Sequence, residues 1–100
     1  MYSLILGVPP TFYYNLAAGA SATFSINNPR YLLVWLSESS GRGITKLSLL
    51  TSLGENTIGA SPSSGAEKLA LSLDRTNNVL ILTNNDSVSV GGKIVVLGRN

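Results

Sequence analysis

The chain has 100 residues, of which 44% are hydrophobic and 12% are charged, and its formal net charge is +2. It contains neither His nor Cys, so it lacks the usual general base near neutral pH, the usual transition-metal ligands and any disulfide. The length predicts one domain spanning residues 1–100, and a charged fraction about half the ordinary ~25% is typical of a chain that covers part of its surface in an assembly.

Short β-prone segments follow one another along the N-terminal half. Residues 2–6 form a strand candidate that ends before Pro9–Pro10. Residues 20–26 alternate apolar and hydroxyl side chains with a period of two, which predicts a half-buried strand. Residues 31–36 are apolar at both parities, as in a strand covered on both sides. The aromatic run 12–14 fits either the core or an exposed contact.

The middle of the chain is more ambiguous. Residues 44–53 fit helical spacing as well as strand alternation, and we predict a strand because the neighbouring segments are strands and Ser and Thr are frequent. The segment 39–43 is predicted to be a flexible tip, and 54–65, rich in Gly and Ser, to be the longest loop. Leu residues alternate with other residues over 68–74, which predicts another strand with one buried face.

The C-terminal quarter contains three apolar runs separated by turn-forming residues. We predict a meander of antiparallel strands at 78–83, 87–90 and 93–98. The whole pattern gives about eight strands with nearly no helix, which is typical of an antiparallel β-sandwich, and we expect a jelly-roll-like connectivity. The residues expected to contribute to the core from separate strands are Phe24, Trp35, Leu71 and Ile81.

No residues point to a reaction or a cofactor. We therefore predict no catalytic, cofactor-binding or metal site and a chain that is not an enzyme. Asn84-Asn85-Asp86 offers oxygen ligands that suit Ca²⁺, but the same residues make a hairpin turn, which we favour. Gly41-Arg42-Gly43 and Gly91-Gly92-Lys93 lack the spacing of phosphate loops and are predicted to be turns.

The seven basic residues are scattered singly, so nucleic-acid binding is not expected. No apolar run approaches the ~20 residues of a membrane-spanning helix. Trp35 with Tyr31, Tyr13 and Tyr14 would suit a sugar platform if exposed. For Trp35 core packing is the favoured interpretation, whereas Tyr13 and Tyr14 are better candidates for exposure.

Several runs together resemble small β-sandwich modules of bacteriophage virions, namely capsid-decorating proteins and the knobs of head or tail fibres. The runs are 22–26, 31–34, 78–85 and 93–97. The resemblance implies a non-catalytic, trimeric virion component made in the host cytoplasm, with other virion proteins as partners, and it transfers no site residue. A start at Met1 without a preceding shaft favours a decoration or minor capsid protein. The alternative is a carbohydrate- or receptor-binding module with a cell-surface glycan as its partner.

Self-association is expected from the strands that are apolar at both parities. In a two-layer sandwich each sheet has one face in water, so such strands expose one of their two apolar sets. One choice of outward set is Leu32, Val34, Leu36, Leu80, Leu82, Val95 and Leu97, and the opposite parity leaves a similar set. No segment is a convincing helix that could cover it, so a second copy of the chain is the expected cover.

Overall fold

The computed structural model describes residues 3–4, 10–27 and 29–99. Within these residues it has nine strands, eight of them five residues or longer, and one helix of four residues. The elements are β1 (Ser3–Leu4), β2 (Thr11–Leu16), β3 (Ser21–Ser25), β4 (Leu32–Glu38), β5 (Thr45–Thr51), β6 (Gly54–Ser61), α1 (Ser63–Ala66), β7 (Leu69–Asp74), β8 (Val79–Asn84) and β9 (Val90–Arg99). The predicted all-β class is confirmed.

The strands form two antiparallel sheets that pack on a common core. The larger sheet has six strands in the order β1-β9-β4-β5-β6, and β2 also pairs with β9, on the side away from β4. The smaller sheet has three strands in the order β3-β8-β7. This is the antiparallel β-sandwich expected from the sequence, with its strands divided unequally between the layers. The jelly-roll connectivity stays a prediction.

The core is built from the even-numbered residues of β4 and β8. Leu32, Val34 and Leu36 of β4 are fully buried, as are Leu80 and Leu82 of β8. Each such side chain contributes roughly 1.5–3 kcal/mol by leaving water. In β9, Ile94 and Val96 are buried, whereas Val95 and Leu97 are only half-buried. The structure thus settles which of the two apolar sets points inward.

Two of the four residues expected in the core lie elsewhere. Leu71 is buried and Phe24 packs partly against the core, as expected. Trp35 is 42% exposed, and Ile81 is half-buried on the opposite face of β8 from Leu80 and Leu82. The prediction was wrong for Trp35 and Ile81 because both faces of their strands are apolar, so periodicity cannot select the inner one.

The predicted C-terminal meander is wrong. β8 belongs to the three-stranded sheet and β9 to the six-stranded sheet, so residues 85–89 cross from one layer to the other. β9 continues through Gly91 and Gly92, which were predicted to be a turn. A Cβ on Gly92 would lie 2.0 Å from the Ser37 carbonyl oxygen and 2.7 Å from the Tyr14 hydroxyl. Position 92 therefore requires glycine, because the backbone of β4 and the Tyr14 side chain approach β9 closely there.

Two strands were missed. β6 occupies most of the predicted loop 54–65 and pairs with β5 along its length, and α1 follows it. As an edge strand with few apolar residues, β6 is held by backbone hydrogen bonds to β5, which leave no hydrophobic pattern. β2 contains the aromatic run, where Phe12 stacks on Phe24 with ring centroids 5.0 Å apart.

The other predicted strands in the described residues are confirmed. Segments 20–26, 31–36, 44–53 and 68–74 correspond to β3, β4, β5 and β7. The helical alternative for 44–53 is excluded, because those residues pair with β4 and β6. Of segment 2–6, residues 3–4 form β1, and residues 2, 5 and 6 lie outside the described residues.

The crowding at Gly92 predicts a strong asymmetry between the two adjacent glycines. Gly92→Ala should lower the free energy of unfolding by about 3 kcal/mol, because the added methyl group collides with backbone. Gly91→Ala should change it by no more than about 1 kcal/mol, since its nearest neighbour, the Tyr14 carbonyl oxygen, would be 3.4 Å away. Urea unfolding of both variants measures the difference, and equal effects would contradict the continuous strand.

Candidate functional site

The six-stranded sheet carries apolar side chains on the face that points away from the core. These residues, here called the outer face, are Leu33 and Trp35 of β4, Leu47 and Leu49 of β5, and Val95 of β9. Trp35 is 42% exposed and the other four are half-buried. A Trp side chain presents up to ~250 Å², so burying its exposed share would contribute on the order of 2.5 kcal/mol.

Strand register makes these residues contiguous. Trp35 lies opposite Val95 on one side and Leu47 on the other, and Leu33 lies opposite Leu49. Directly opposite residues on one face have Cβ atoms about 5 Å apart, so their side chains touch. Beyond Leu47 the next strand presents Gly59, which has no side chain to cover it. The apolar row therefore ends open toward β6.

The surroundings of the outer face are nearly free of charge. The next row of the same sheet contains Tyr13, Lys93, Ser37, Thr45 and Ser61, of which Lys93 is the charged member. Tyr13 is 76% exposed. Five strand positions ~4.8 Å apart and about six residues of ~3.3 Å each give the sheet an outward area on the order of 500 Å².

The outward face of the smaller sheet is a polar, solvated surface, with which the outer face of the larger sheet can be compared. Across its outward side Thr23, Ile81 and Ser72 lie opposite one another, and the hydroxyls of Ser21 and Thr83 are hydrogen-bonded at 2.8 Å. Hydroxyl side chains dominate that face, and Ile81 is partly covered by them. The contrast marks the outer face of the six-stranded sheet as the exceptional surface.

The aromatic residues considered for a sugar platform are not brought together. Trp35 and Tyr13 share the outward side of the six-stranded sheet, so Tyr13 is exposed as expected and Trp35 is exposed against expectation. Tyr14 is buried, which contradicts its expected exposure, and its hydroxyl donates to the Ser37 carbonyl oxygen at 2.9 Å. Tyr31 precedes β4 at the opposite end of the sheet from Ser37.

Asn84 is an anchor for the crossing between the sheets and not part of a hairpin turn. It is fully buried, and its Nδ2 lies 3.2, 3.1 and 2.9 Å from the carbonyl oxygens of Leu16, Ala17 and Val88. Its Oδ1 accepts the Asp86 backbone N–H at 3.0 Å. The Asn84 oxygen that was weighed as a Ca²⁺ ligand is thus engaged within the fold.

Arg42 joins two carboxylates beside this anchor. Its Nη1 donates to Asp86 Oδ2, and its Nε lies 3.6 Å from Glu38 Oε2. The hydrogen bond from Arg42 holds the pKa of Asp86 below its ordinary value. Glu38 also accepts the backbone N–H of Ser40, and the Ser39 N–H donates to the Gly91 carbonyl oxygen at 2.7 Å. The predicted flexible tip is therefore tied to the sheet.

A buried ion pair lies between the two sheets. Lys46 Nζ is 2.8 Å from Glu55 Oε2, which also accepts the Ser48 hydroxyl at 2.6 Å. Glu55 Oε1 accepts the backbone N–H of Leu71 at 3.1 Å, and Lys46 Nζ donates to the Leu69 carbonyl oxygen. These are backbone groups of β7, an edge strand, so the ion pair stands in for a missing neighbouring strand.

Sequence reasoning missed both groups of ion pairs. Arg42 meets Asp86 from a distant part of the chain. Lys46 and Glu55 lie close in the sequence, and their pair was missed because Glu55 was placed in a loop. The strand pattern also misled, because Leu47 and Leu49 favour their own side of β5 as the buried one, whereas the structure buries the side of Lys46.

No group of three metal-ligating side chains occurs among residues 3–4, 10–27 and 29–99. In the same part of the chain, no helix is long and apolar enough to cross a membrane. No protein-family model matches the chain, and no curated protein and no solved structure matches it either. The candidate site therefore rests on the geometry of the outer face.

The Lys46–Glu55 pair should behave as a coupled unit. Lys46→Met or Glu55→Gln alone should lower the free energy of unfolding by about 3–5 kcal/mol, because each leaves a buried partner uncompensated. The double variant should cost less than the sum of the two single changes, which a double-mutant cycle by urea unfolding measures. Additive effects would mean that the two groups act independently.

Tyr14 should make stability depend on pH in the alkaline range. Burial, reinforced by Glu38 and opposed by Arg42, raises the pKa of Tyr14 from 10.0 to about 12. The neutral phenol is favoured in the fold, so its contribution is fully present below the unfolded value and is lost as the pH rises through the folded value. Tyr14→Phe should be less stable than wild type near neutral pH by about 1 kcal/mol.

That deficit should shrink as the pH rises from 10.0 to about 12, because only the wild type loses the contribution of the phenol. The lysines titrate in both proteins alike, so their effect cancels when the free energies of unfolding of wild type and Tyr14→Phe are compared at the same pH. A deficit that stays constant over this range would contradict the raised pKa of Tyr14.

Proposed function

We propose that the chain is a non-enzymatic structural component of a bacteriophage particle, a capsid-decorating or minor capsid protein that assembles through its outer face. The observation that carries the assembly is the contiguous row of Val95, Trp35 and Leu47 on the solvent side of the six-stranded sheet. The virion assignment is supported by the sequence resemblance alone. The particle, after synthesis in the host cytoplasm, is the proposed location.

The uses of the acidic side chains support a non-enzymatic role. Of the five acidic residues, Glu38, Glu55, Asp74 and Asp86 all accept backbone N–H groups of their own chain. A carboxylate committed to such bonds is poorly placed to act as a general base or nucleophile. Their arrangement supports roles in holding loops and strand edges.

A second copy of the chain is the occupant that the outer face fits. The residues of the face carry no charge, so two copies meet without the like-charge repulsion that selects against self-pairing. A contact that covers the outward sheet surface, on the order of 500 Å², and an equal area of the next copy buries about 1,000 Å², the lower bound for a specific interface. The low charge content of the chain supports the same conclusion.

The proposed oligomer is a trimer, which requires two different surfaces of the chain to contact each other. Three copies in a ring meet through two different surfaces, whereas a dimer can place one patch against itself. The edge strand β6 provides the second surface, because its residues 56–61 are uncharged and Ile58 is 58% exposed. In the trimer, Ile58 of one copy would contact the outer face of the next.

Light scattering coupled to size exclusion at micromolar concentration tests the assembly. We expect a mass that is a multiple of 10.5 kDa, with three copies preferred. Trp35→Lys and Leu47→Lys should each give a monomer, because the contact would bury a charge that has no partner. A wild-type mass of 10.5 kDa would contradict the proposal.

Val88→Lys is the matched control, because Val88 is 49% exposed but lies in the 85–89 crossing, away from the outer face. It should leave the mass unchanged. Thermal unfolding of all three variants establishes that they fold. The virion assignment is tested separately by mass spectrometry of purified particles, in which the chain should occur in fixed ratio to the capsid protein.

A further inference from the structure

A cleft of about 340 Å³ opens at the end of the sandwich opposite the Asn84 anchor. It is formed where the β3–β4 connection, the β5–β6 turn and the β7–β8 turn meet. Its lining residues are Arg30, Tyr31, Thr51, Ser52, Leu53 and Arg75. None of these residues is used by the outer face or by either ion pair.

The two guanidinium groups of the cleft have no acidic partner among residues 3–4, 10–27 and 29–99. Neither Arg30 nor Arg75 forms an ion pair with any described residue, in contrast to Arg42. The nearest acid in the sequence, Asp74, is committed to its own turn, where it accepts the N–H groups of Thr76 and Asn77 at 3.0 and 3.1 Å. Two unpaired cations that share one cleft favour an anionic ligand.

Arginines outnumber the available acids at this end. Arg99, which lies opposite Leu32 in the sheet, joins Arg30 and Arg75 there, and the acids of the same end are Asp74 and Glu55. Glu55 is already paired with Lys46, so it does not neutralise these arginines. A field of one sign raises the local concentration of anions.

The cleft is held in shape by buried neighbours. Pro29 and Leu32, on either side of Arg30 and Tyr31, are both buried. The Ile26 N–H donates to the Asn78 carbonyl oxygen at 2.8 Å, which ties the β3–β4 connection to the β7–β8 turn. The cleft therefore needs little reorganisation on binding, and less entropy is lost than in a mobile loop.

We propose that this cleft binds an acidic monosaccharide unit, a pyranose ring that carries a carboxylate. The arginines supply donors for the carboxylate, and Tyr31, 43% exposed, supplies an aromatic surface for the apolar face of the ring. Ser52 supplies a hydroxyl for the ring substituents. The volume lies at the lower end of the ~300–1,000 Å³ of ligand pockets, which suits a single sugar ring.

Nucleic acid fits the same cleft less well. Binding to a phosphate backbone depends on neutralising several phosphates along a track. Here two cations line one compact cleft. The site is independent of the proposed assembly, and binding can be measured whether or not the protein self-associates.

Amide chemical-shift titration of the ¹⁵N-labelled chain tests the proposal. The probes are sodium N-acetylneuraminate and sodium glucuronate, with glucose as the neutral counterpart of glucuronate, sodium sulfate as an anion without a ring, and a short oligothymidylate. We expect at least one acidic sugar to shift resonances of Arg30, Tyr31 and Arg75 selectively, with glucose causing no shifts. Arg30→Gln or Arg75→Gln should weaken its binding by about tenfold.

Two further variants separate ring contact from charge. Tyr31→Ala should weaken binding several-fold, whereas Tyr31→Phe should retain it, because the aromatic face is preserved. Lys68→Gln is the control for loss of an exposed cation elsewhere and should have no effect. Overturning outcomes are no binding of either acidic sugar, sulfate binding as tight as the sugars with Tyr31→Ala unaffected, or oligothymidylate binding more tightly than both sugars.

Discussion

The closure of the sandwich depends on the ion pair between Lys46 and Glu55. β7 is an edge of the small sheet, and β6 is an edge of the large one, so no backbone ladder joins the layers on this side. Glu55 accepts the Leu71 N–H and Lys46 donates to the Leu69 carbonyl oxygen, which satisfies β7 with side chains. Each of these backbone groups, if buried without a partner, would cost about 1–3 kcal/mol.

That closure explains why the two layers present such different outward faces. The small sheet packs its Leu-rich side on the core and turns hydroxyls to solvent, so it needs no further cover. In the large sheet, Lys46 and Glu55 close the sandwich by binding the backbone of β7. The same sheet carries apolar residues on its core side and on its outward side in β4 and β5. One face completes the monomer, and the other is the proposed contact with a second copy of the chain.

The two ends of the sandwich are also unlike. At the Asn84 end the polar groups are mutually satisfied, with Arg42 bridging Glu38 and Asp86. At the other end Arg30 and Arg75 line a cleft and form no ion pair within the described part of the chain. Satisfied networks rigidify a fold, whereas unpaired charges on a preformed surface are available to a ligand. The fold therefore separates its structural charges from those that can bind.

The sequence by itself determined the all-β class, the near absence of helix and the positions of β3, β4, β5 and β7, because period-two alternation and turn residues are local signals. It also indicated that β4, β8 and β9 are apolar on both faces, although a two-layer sandwich buries only one face of each strand. Only the tertiary structure decided that Leu32 faces inward and Trp35 outward, since both parities are apolar. It also decided that Gly92 lies inside a strand, and it brought Lys46 to Glu55 and Arg30 to Arg75. Lys46 meets Glu55 because β6 is a strand although it has no hydrophobic pattern. Arg30 meets Arg75 because two turns that are distant in the chain become neighbours, and such contacts leave no periodic trace in the sequence.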